Sequence, residues 1–147
     1  MFTPVRLTHL DDRLEPLRRE AAAEGFQFID RLIEDWQTAG NRFDAPGECL
    51  LGVTAGDALV AVGGLNRDPY EPSAEIGRIR HVYVMRKYRR QGASSALLRA
   101  LLAEADLHYT ALRLRTDTPE AAAFYVRHGF VPVTSPWATH ARASNGS

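Results

Sequence analysis

The stretch YRRQGASSALLRALLAEA, residues 88 to 105, decides the reading of this chain. Arg89 and Arg90 lead through Gln91 into Gly92-Ala93-Ser94-Ser95, and an apolar helix follows at once, with Ala93, Ala96, Leu97, Ala100 and Leu101 among its apolar positions. The first turn of a helix leaves N–H groups without intrahelical partners, at the positive end of the helix dipole. Gly92 lets a ligand come close to the backbone, and the small residues after it keep that approach open, with Ser94 and Ser95 adding hydroxyl donors. Between Arg78 and Arg90 stand Arg78, Arg80, Arg86, Lys87, Arg89 and Arg90, with no acidic residue among them. The combination reads as a site for a phosphate or pyrophosphate. The plain alternative is solvated arginines before an ordinary turn and cap.

Upstream of this stretch, EIGRIRHVYV (residues 75–84) has the length and β-branched content of a strand, with an internal conflict. Strict alternation puts Arg78 and Arg80 on the same face as Val82 and Val84, mixing charge with core. A one-residue bulge between the two pairs resolves the conflict and frees backbone groups to bond something other than a neighbouring strand. Further upstream, CLLGVT and ALVAVGGL flank Ala55-Gly56-Asp57 as a hairpin, and NRDPYEPSA reads as a loop. PVRLTHL reads as a short strand, and Leu14 to Ala23 as a helix closed by Gly25. Ile29, Leu32, Ile33 and Trp36 recur at helical spacing on a second helix ending near Gly40. Downstream come a strand, ALRLRT, a helix, PEAAAFYVRHG, with Pro119 near its start and Gly129 past its end, and a last strand, FVPV. The order β-α-α-β-β-β-α-β-α-β predicts an α/β (α+β) domain, a mixed sheet with helices on its faces.

The 147 residues fit one domain, spanning 1–147, with a polar tail over 141–147 that is expected to fray. Net charge is zero, from 18 basic and 18 acidic side chains, so any anion site is local rather than a general attraction to nucleic acid or anionic membrane. A single cysteine, Cys49, excludes an internal disulfide and fits a reducing cytoplasm. No apolar run approaches the roughly 18 residues of a membrane helix. The Walker phosphate-loop pattern and the dinucleotide-binding glycine pattern are both absent. His9, His81, His108, His128 and His140 lack metal-ligand spacing, so no metal is expected and each reads as a surface or hydrogen-bonded histidine.

At this point the chain resembles the GCN5-related N-acetyltransferase (GNAT) superfamily. Arg89-Arg90-Gln91-Gly92-Ala93-Ser94 matches that family's pyrophosphate loop, Q/R-x-x-G-x-G/A, with Ser94 departing at the last position. VYVMRKY is similar to the family's strand end and connecting loop, and LRTDTPEAAAFYVRHGFVPV to its C-terminal strand-helix-strand unit. The resemblance covers roughly Cys49 to Val133. It implies a twisted central mixed sheet with a splayed strand pair, flanked by about four helices, and an acyl-CoA-dependent N-acyltransferase with acetyl-CoA as co-substrate. The backbone from Arg89 and Arg90 through Gln91, Gly92, Ala93 and Ser94 to Ser95 would hold the pyrophosphate. The exposed edge of Val82, Tyr83 and Val84 would pair with the pantetheine arm, with the Val82 N–H facing the developing oxyanion. Thr118 stands where the family often has an asparagine near CoA, and it also suits a helix cap.

The same resemblance implies that Tyr125 protonates the departing thiolate, against a plainer reading as a core aromatic. Glu75 is the candidate general base, acting directly or through water, and it reads equally as an ion-pair partner of Arg78 or Arg113. Cys49 reads as buried filler rather than a nucleophile. The acceptor is expected to be a primary amine of a small molecule or peptide. Asp68 and Glu71 are placed to attract its charge, and Phe26, Phe28, Tyr70 and Trp137 to form an apolar wall. Alternatives are a protein N-terminal or lysine acetyltransferase, and a non-catalytic acyl-CoA sensor. A homodimer is compatible with the family, whereas a nucleic-acid role for the arginines conflicts with zero net charge.

Overall fold

A computed structural model describes residues 1–144 of the chain. Strand β1 (Phe2–Arg6) is followed by a single 3-10 turn and helices α1 (Glu15–Ala23) and α2 (Phe28–Gln37). Next come β2 (Cys49–Ala55), β3 (Ala58–Arg67) and β4 (Ile76–Val84), then a 3-10 turn at Arg86–Tyr88 and helix α3 (Ala93–His108). The chain ends with β5 (Ala111–Leu114), α4 (Pro119–Arg127), β6 (Val131–Pro132) and β7 (His140–Ala143). All seven strands form one sheet in the order β1-β2-β3-β4-β5-β7-β6. Every neighbouring pair is antiparallel except β4 and β5, which run parallel. The mixed sheet and the four α-helices agree with the expected class. No described helix is long and apolar enough to cross a membrane.

Local chemistry sets the elements. Pro16 near the start of α1 has the backbone angle a helix needs and no N–H to leave unpaired. The helix stops because Gly25 takes φ +88°, and the Phe26 and Gly25 amides turn back onto the Ala21 and Ala22 carbonyls at 2.9 and 3.0 Å. That closure delivers Phe26 and Phe28 over the end of β4, where Phe26 lies 6.5 Å from the Tyr83 ring. The hairpin turn falls at Gly56-Asp57, with Gly56 at φ +61°.

The sheet buries both faces. On one, Val60, Leu65, Ile79 and Val84 pack with Leu97 and Leu101 of α3 and with Tyr125 and Phe130. On the other, Leu50, Val62 and Tyr83 pack with Leu17 and Ala21 of α1, Ile29 and Leu32 of α2, and Phe43. Each fully buried leucine contributes about 2 kcal/mol, and truncating Leu17 or Leu101 to alanine would cost about 3 kcal/mol.

The bulge expected in β4 is present. Tyr83 pairs with Val62 and Arg80 with Gly64, so His81 and Val82 together face the single residue Gly63. His81 absorbs the extra residue at φ +59°, a conformation strained for a histidine. The shift sends Val82 toward Leu97 and Leu101, where all three side chains close around Gly63. Arg80, opposite Gly64, stays on the α2 face, because a methyl at Gly64 would point into the Phe43 ring. Charge and core are thereby separated.

Two other features position the site. The β4–β5 ladder holds only Ile76, Gly77 and Arg78 against Ala111, Leu112 and Arg113. Beyond Arg78 the strands part, and Ile79 to Val84 have no strand partner on that side. The tail differs from expectation. His140–Ala143 forms β7, inserted between β5 and β6, where Leu112 and Arg113 pair with Arg142 and Ala141. The remainder of the expected frayed tail, 145–147, lies outside the described residues.

Candidate active site

The opening between β4 and β5 faces the start of α3. After Val84 the chain makes one tight turn and passes through Arg90 at φ +62° and Gly92 at φ +99°, both left-handed. The Gln91 side-chain Nε2 donates to the Lys87 carbonyl at 2.7 Å, and Arg89 Nε donates to the Val84 carbonyl at 2.9 Å, so the loop is fixed from within. No side chain caps α3, and its first intrahelical bond runs from the Ala96 amide to the Gly92 carbonyl at 2.9 Å. The amides of Ala93, Ser94 and Ser95 are therefore left without helical partners beside the strand opening. Glycine is required at position 92 by its backbone angle rather than by crowding, since the nearest atom to a Cβ there would be Phe2 Cδ2 at 3.9 Å.

The cationic run does not act as one cluster. Arg78 is buried, 3.4 Å from the Asp68 carboxylate and 4.9 Å from the Tyr70 ring centre, on the closed side of the opening. Arg89 bonds Glu24 at 2.8 Å and lies over the Tyr83 ring at 5.3 Å. Its guanidinium is committed to the fold. Arg80, Arg86 and Arg90 make no ion pair among the described residues.

Glu20 and Glu24, absent from the sequence-based candidates, close the network. The Tyr83 hydroxyl bonds Glu20 at 2.8 Å and also Glu24, and the Arg86 amide donates to Glu20 at 2.6 Å. Burial, reinforced by these carboxylates, raises the Tyr83 hydroxyl far above the usual phenol range. The end of α1 is thereby tied to the end of β4 and to the loop beyond it. Spacing at i, i+4 on α1 was the only signal of this pair in the sequence.

Tyr125 is buried on the α3 face of the sheet, in the same apolar cluster as Val84 and Val82. Its ring sits 5.4 Å from both Phe124 and Phe130, and burial alone pushes its hydroxyl well above the usual range. Thr118 caps α4, its hydroxyl accepting from the Ala121 amide at 3.2 Å. Glu75 is not brought together with these residues. It is exposed, it precedes the paired end of β4, and its carbonyl holds the Thr110 amide at 2.8 Å. Seven residues of near-extended chain place it about 20 Å from Val82. Nor does Glu75 pair with the arginines, which take Asp68 and Glu71 instead. Cys49 is buried, and burial raises its thiol to about 11, so it carries no thiolate at neutral pH.

The acceptor side departs from expectation. Asp68 is occupied by Arg78 and by the Tyr70 amide at 2.8 Å, and Glu71 by Arg113. Neither is free to attract a cation. Tyr70 and Trp137 stack face to face at 4.7 Å, both about half exposed, while Phe26 and Phe28 group separately around Tyr83. His81 is the exception among histidines read as hydrogen-bonded: neither ring nitrogen has a hydrogen-bond partner, and both are shielded from solvent. Burial, with the Arg80 charge adding to it, lowers its imidazole to about 4. Among the described residues no group of His, Cys, Asp and Glu is arranged to hold a metal ion.

The fold of this chain recurs in solved structures. A protein of Exiguobacterium sp. 255-15 assigned as an acetyltransferase matches 99% of this chain over 95% of its own, at 29% identity and a TM-score of 0.88. An acetyltransferase of the GNAT family from Staphylococcus aureus Mu50 superimposes with a TM-score of 0.74 at 12% identity, covering 99% of this chain and 100% of its own. The ribosomal-protein-S18-alanine N-acetyltransferase of Escherichia coli does so at 0.67 and 19% identity, covering 96% and 90%. No curated protein matches the sequence. The acetyltransferase (GNAT) domain model matches residues 17–140, and the chain belongs to that family.

Proposed function

We propose that the protein transfers the acetyl group of acetyl-CoA directly to a primary amine of a small molecule or peptide. The observation that carries this reading is the coincidence, at one end of β4, of an unpaired strand edge and the unpartnered first-turn amides of α3. An extended amide-bearing arm fits the edge, and a pyrophosphate fits the amides. Cytoplasmic action accords with the single buried thiol, Cys49.

The chain's groups then divide the work. The amides from Arg90 to Ser95 hold the pyrophosphate, and the backbone of Val82 to Val84 orients the arm. The Val82 N–H faces the carbonyl oxygen as negative charge grows there. As the amine nitrogen bonds to the carbonyl carbon, the C–S bond breaks and Tyr125 gives its proton to the sulfur. The proton displaced from nitrogen leaves through solvent, which also restores the Tyr125 hydroxyl. Raised by burial, that hydroxyl stays protonated at neutral pH.

Calorimetric titration with acetyl-CoA, dephospho-CoA and adenosine tests this. Binding of the first two but not of adenosine, followed by amine-dependent thiol release, is the expected result. No binding of acetyl-CoA in the micromolar range overturns the reading.

A further inference from the structure

The cationic run leaves one member without a role. Lys87 is exposed and makes no ion pair among the described residues. Of the chain's 18 lysines and arginines it is the one lysine. Guanidinium groups stay protonated and do not take up an acyl group. The basic surface is therefore inert toward acetyl transfer except at Lys87, the chain's one primary amine besides its α-amine.

Contacts place that amine beside the candidate cofactor loop. The Lys87 carbonyl accepts from the Gln91 side chain at 2.7 Å, and Lys87 Nζ lies 5.6 Å from the centre of the Tyr88 ring. Tyr88 meets Phe2 edge to face at 6.0 Å, and Phe2 Cδ2 would be the nearest atom to a Cβ at Gly92, at 3.9 Å. Lys87, Tyr88, Phe2 and Gly92 thus follow one another by contact, next to the uncapped start of α3. A thioester arm anchored there by its pyrophosphate has two places to lie. Within the β4–β5 opening it reaches Val82, ten residues before Gly92. Swung outward, the same length passes Lys87, five residues before Gly92. Anchoring makes that second encounter intramolecular, which raises the effective concentration of thioester at the amine.

We infer that Lys87 is a self-acetylation site, modified by acetyl-CoA held on the loop with its arm outside the opening. Lys87 Nζ bonds to the carbonyl carbon and the C–S bond breaks. The amine sheds its proton to solvent, and the departing thiolate takes one from water. The product has lost a positive charge beside the phosphates, so a modified molecule holds acetyl-CoA less tightly and excess cofactor limits its own use. This rests on the proposed binding of acetyl-CoA, and not on the role given to Tyr125.

Incubation with acetyl-CoA, followed by intact mass measurement and peptide mapping, tests it. Lys87 should gain one acetyl group, about tenfold or more faster from acetyl-CoA than from the acetyl thioester of a simple alkyl thiol at equal concentration. Excess desulfo-CoA should erase that advantage, and so should Gly92→Glu. Tyr125→Phe should leave it intact, because an attack at the surface makes no use of a buried hydroxyl. After prolonged incubation, calorimetry should find acetyl-CoA affinity about threefold lower in the wild type, the worth of one exposed charge, and undiminished in Lys87→Arg. An unmodified Lys87 in a protein that binds acetyl-CoA, equal rates from the two thioesters, or a rate that falls in Tyr125→Phe overturns the tethered reaction. Unchanged affinity after modification overturns the brake. Acetylation of Lys87 without amine-dependent thiol release would instead overturn the proposed transfer and leave this site standing.

Discussion

Arg89 and Glu24 meet at 2.8 Å although they lie 65 positions apart, so the first residue of the Arg89–Ser94 loop is fastened to the last turn of α1. Arg89 also donates to the Val84 carbonyl, and the Tyr83 hydroxyl reaches the same carboxylate. The loop's shape thus depends on a carboxylate that touches no part of the loop backbone. Glu24→Gln should weaken acetyl-CoA binding by about tenfold while costing the fold only about 1 kcal/mol, as partly exposed pairs do. Calorimetry and thermal melting on the same variant separate the two effects.

That contact has a pH signature. Arg89 holds the Glu24 carboxyl below its ordinary value of 4.5. A depressed carboxyl stabilises the fold fully above its unfolded value and loses that contribution as pH falls through the folded one. Melting temperature should therefore lose a component below about pH 4.5 in the wild type, and Glu24→Gln should lack it.

His81 predicts a second loss, at higher pH. Its folded value of about 4 lies below the ordinary 6.5, so the unfolded chain takes up a proton that the folded one refuses. The contribution is whole above 6.5 and drains away as pH falls toward 4, by up to about 3 kcal/mol. His81→Asn should flatten the stability profile between those limits. An unchanged profile in that variant would show that His81 titrates normally.

Gly92→Ala should cost about 1 kcal/mol of stability, because φ +99° disfavours any side chain while space around it is open. Gly92→Glu adds a charge beside the unpartnered amides and should reduce acetyl-CoA affinity far more than Gly92→Ala does. Equal affinities for the two variants would place the pyrophosphate elsewhere.

Tyr125→Phe removes one oxygen from a buried ring held by Phe124 and Phe130, so the fold should survive it. Thiol release should fall by about 10²-fold, the usual worth of a positioned acid, with acetyl-CoA affinity unchanged. Because burial raises this hydroxyl, the wild-type rate should show no decline from Tyr125 ionisation at or below pH 10.

Local rules carried much of this structure into view. The mismatch of Arg78 and Arg80 with Val82 and Val84 required a bulge, and His81 supplies it. Gly25, Gly56 and Gly92 marked a helix end, a hairpin turn and a helix start, and each takes positive φ there. What local rules missed depends on distant partners. The run from Arg78 to Arg90 looked like one anion site because Asp68 and Glu24 are joined to it only by folding. Glu75 looked catalytic from its place before the central strand, but the strand carries it away from the opening. His140–Ala143 has no strand pattern of its own and becomes a strand because β5 and β6 offer edges on both sides.

The three-pair ladder between β4 and β5 leaves the backbone of Ile79 to Val84 without a strand neighbour on that side, so, apart from the Val84 carbonyl that Arg89 holds, water must serve its outward N–H and C=O groups. Such groups exchange hydrogen with solvent readily. An extended ligand lying in the opening would act as a temporary eighth strand, shielding alternate amides along this segment while leaving β2 and β3 unchanged. The wedge is thus a built-in reporter: deuterium uptake between 79 and 84 reads occupancy directly, with or without turnover.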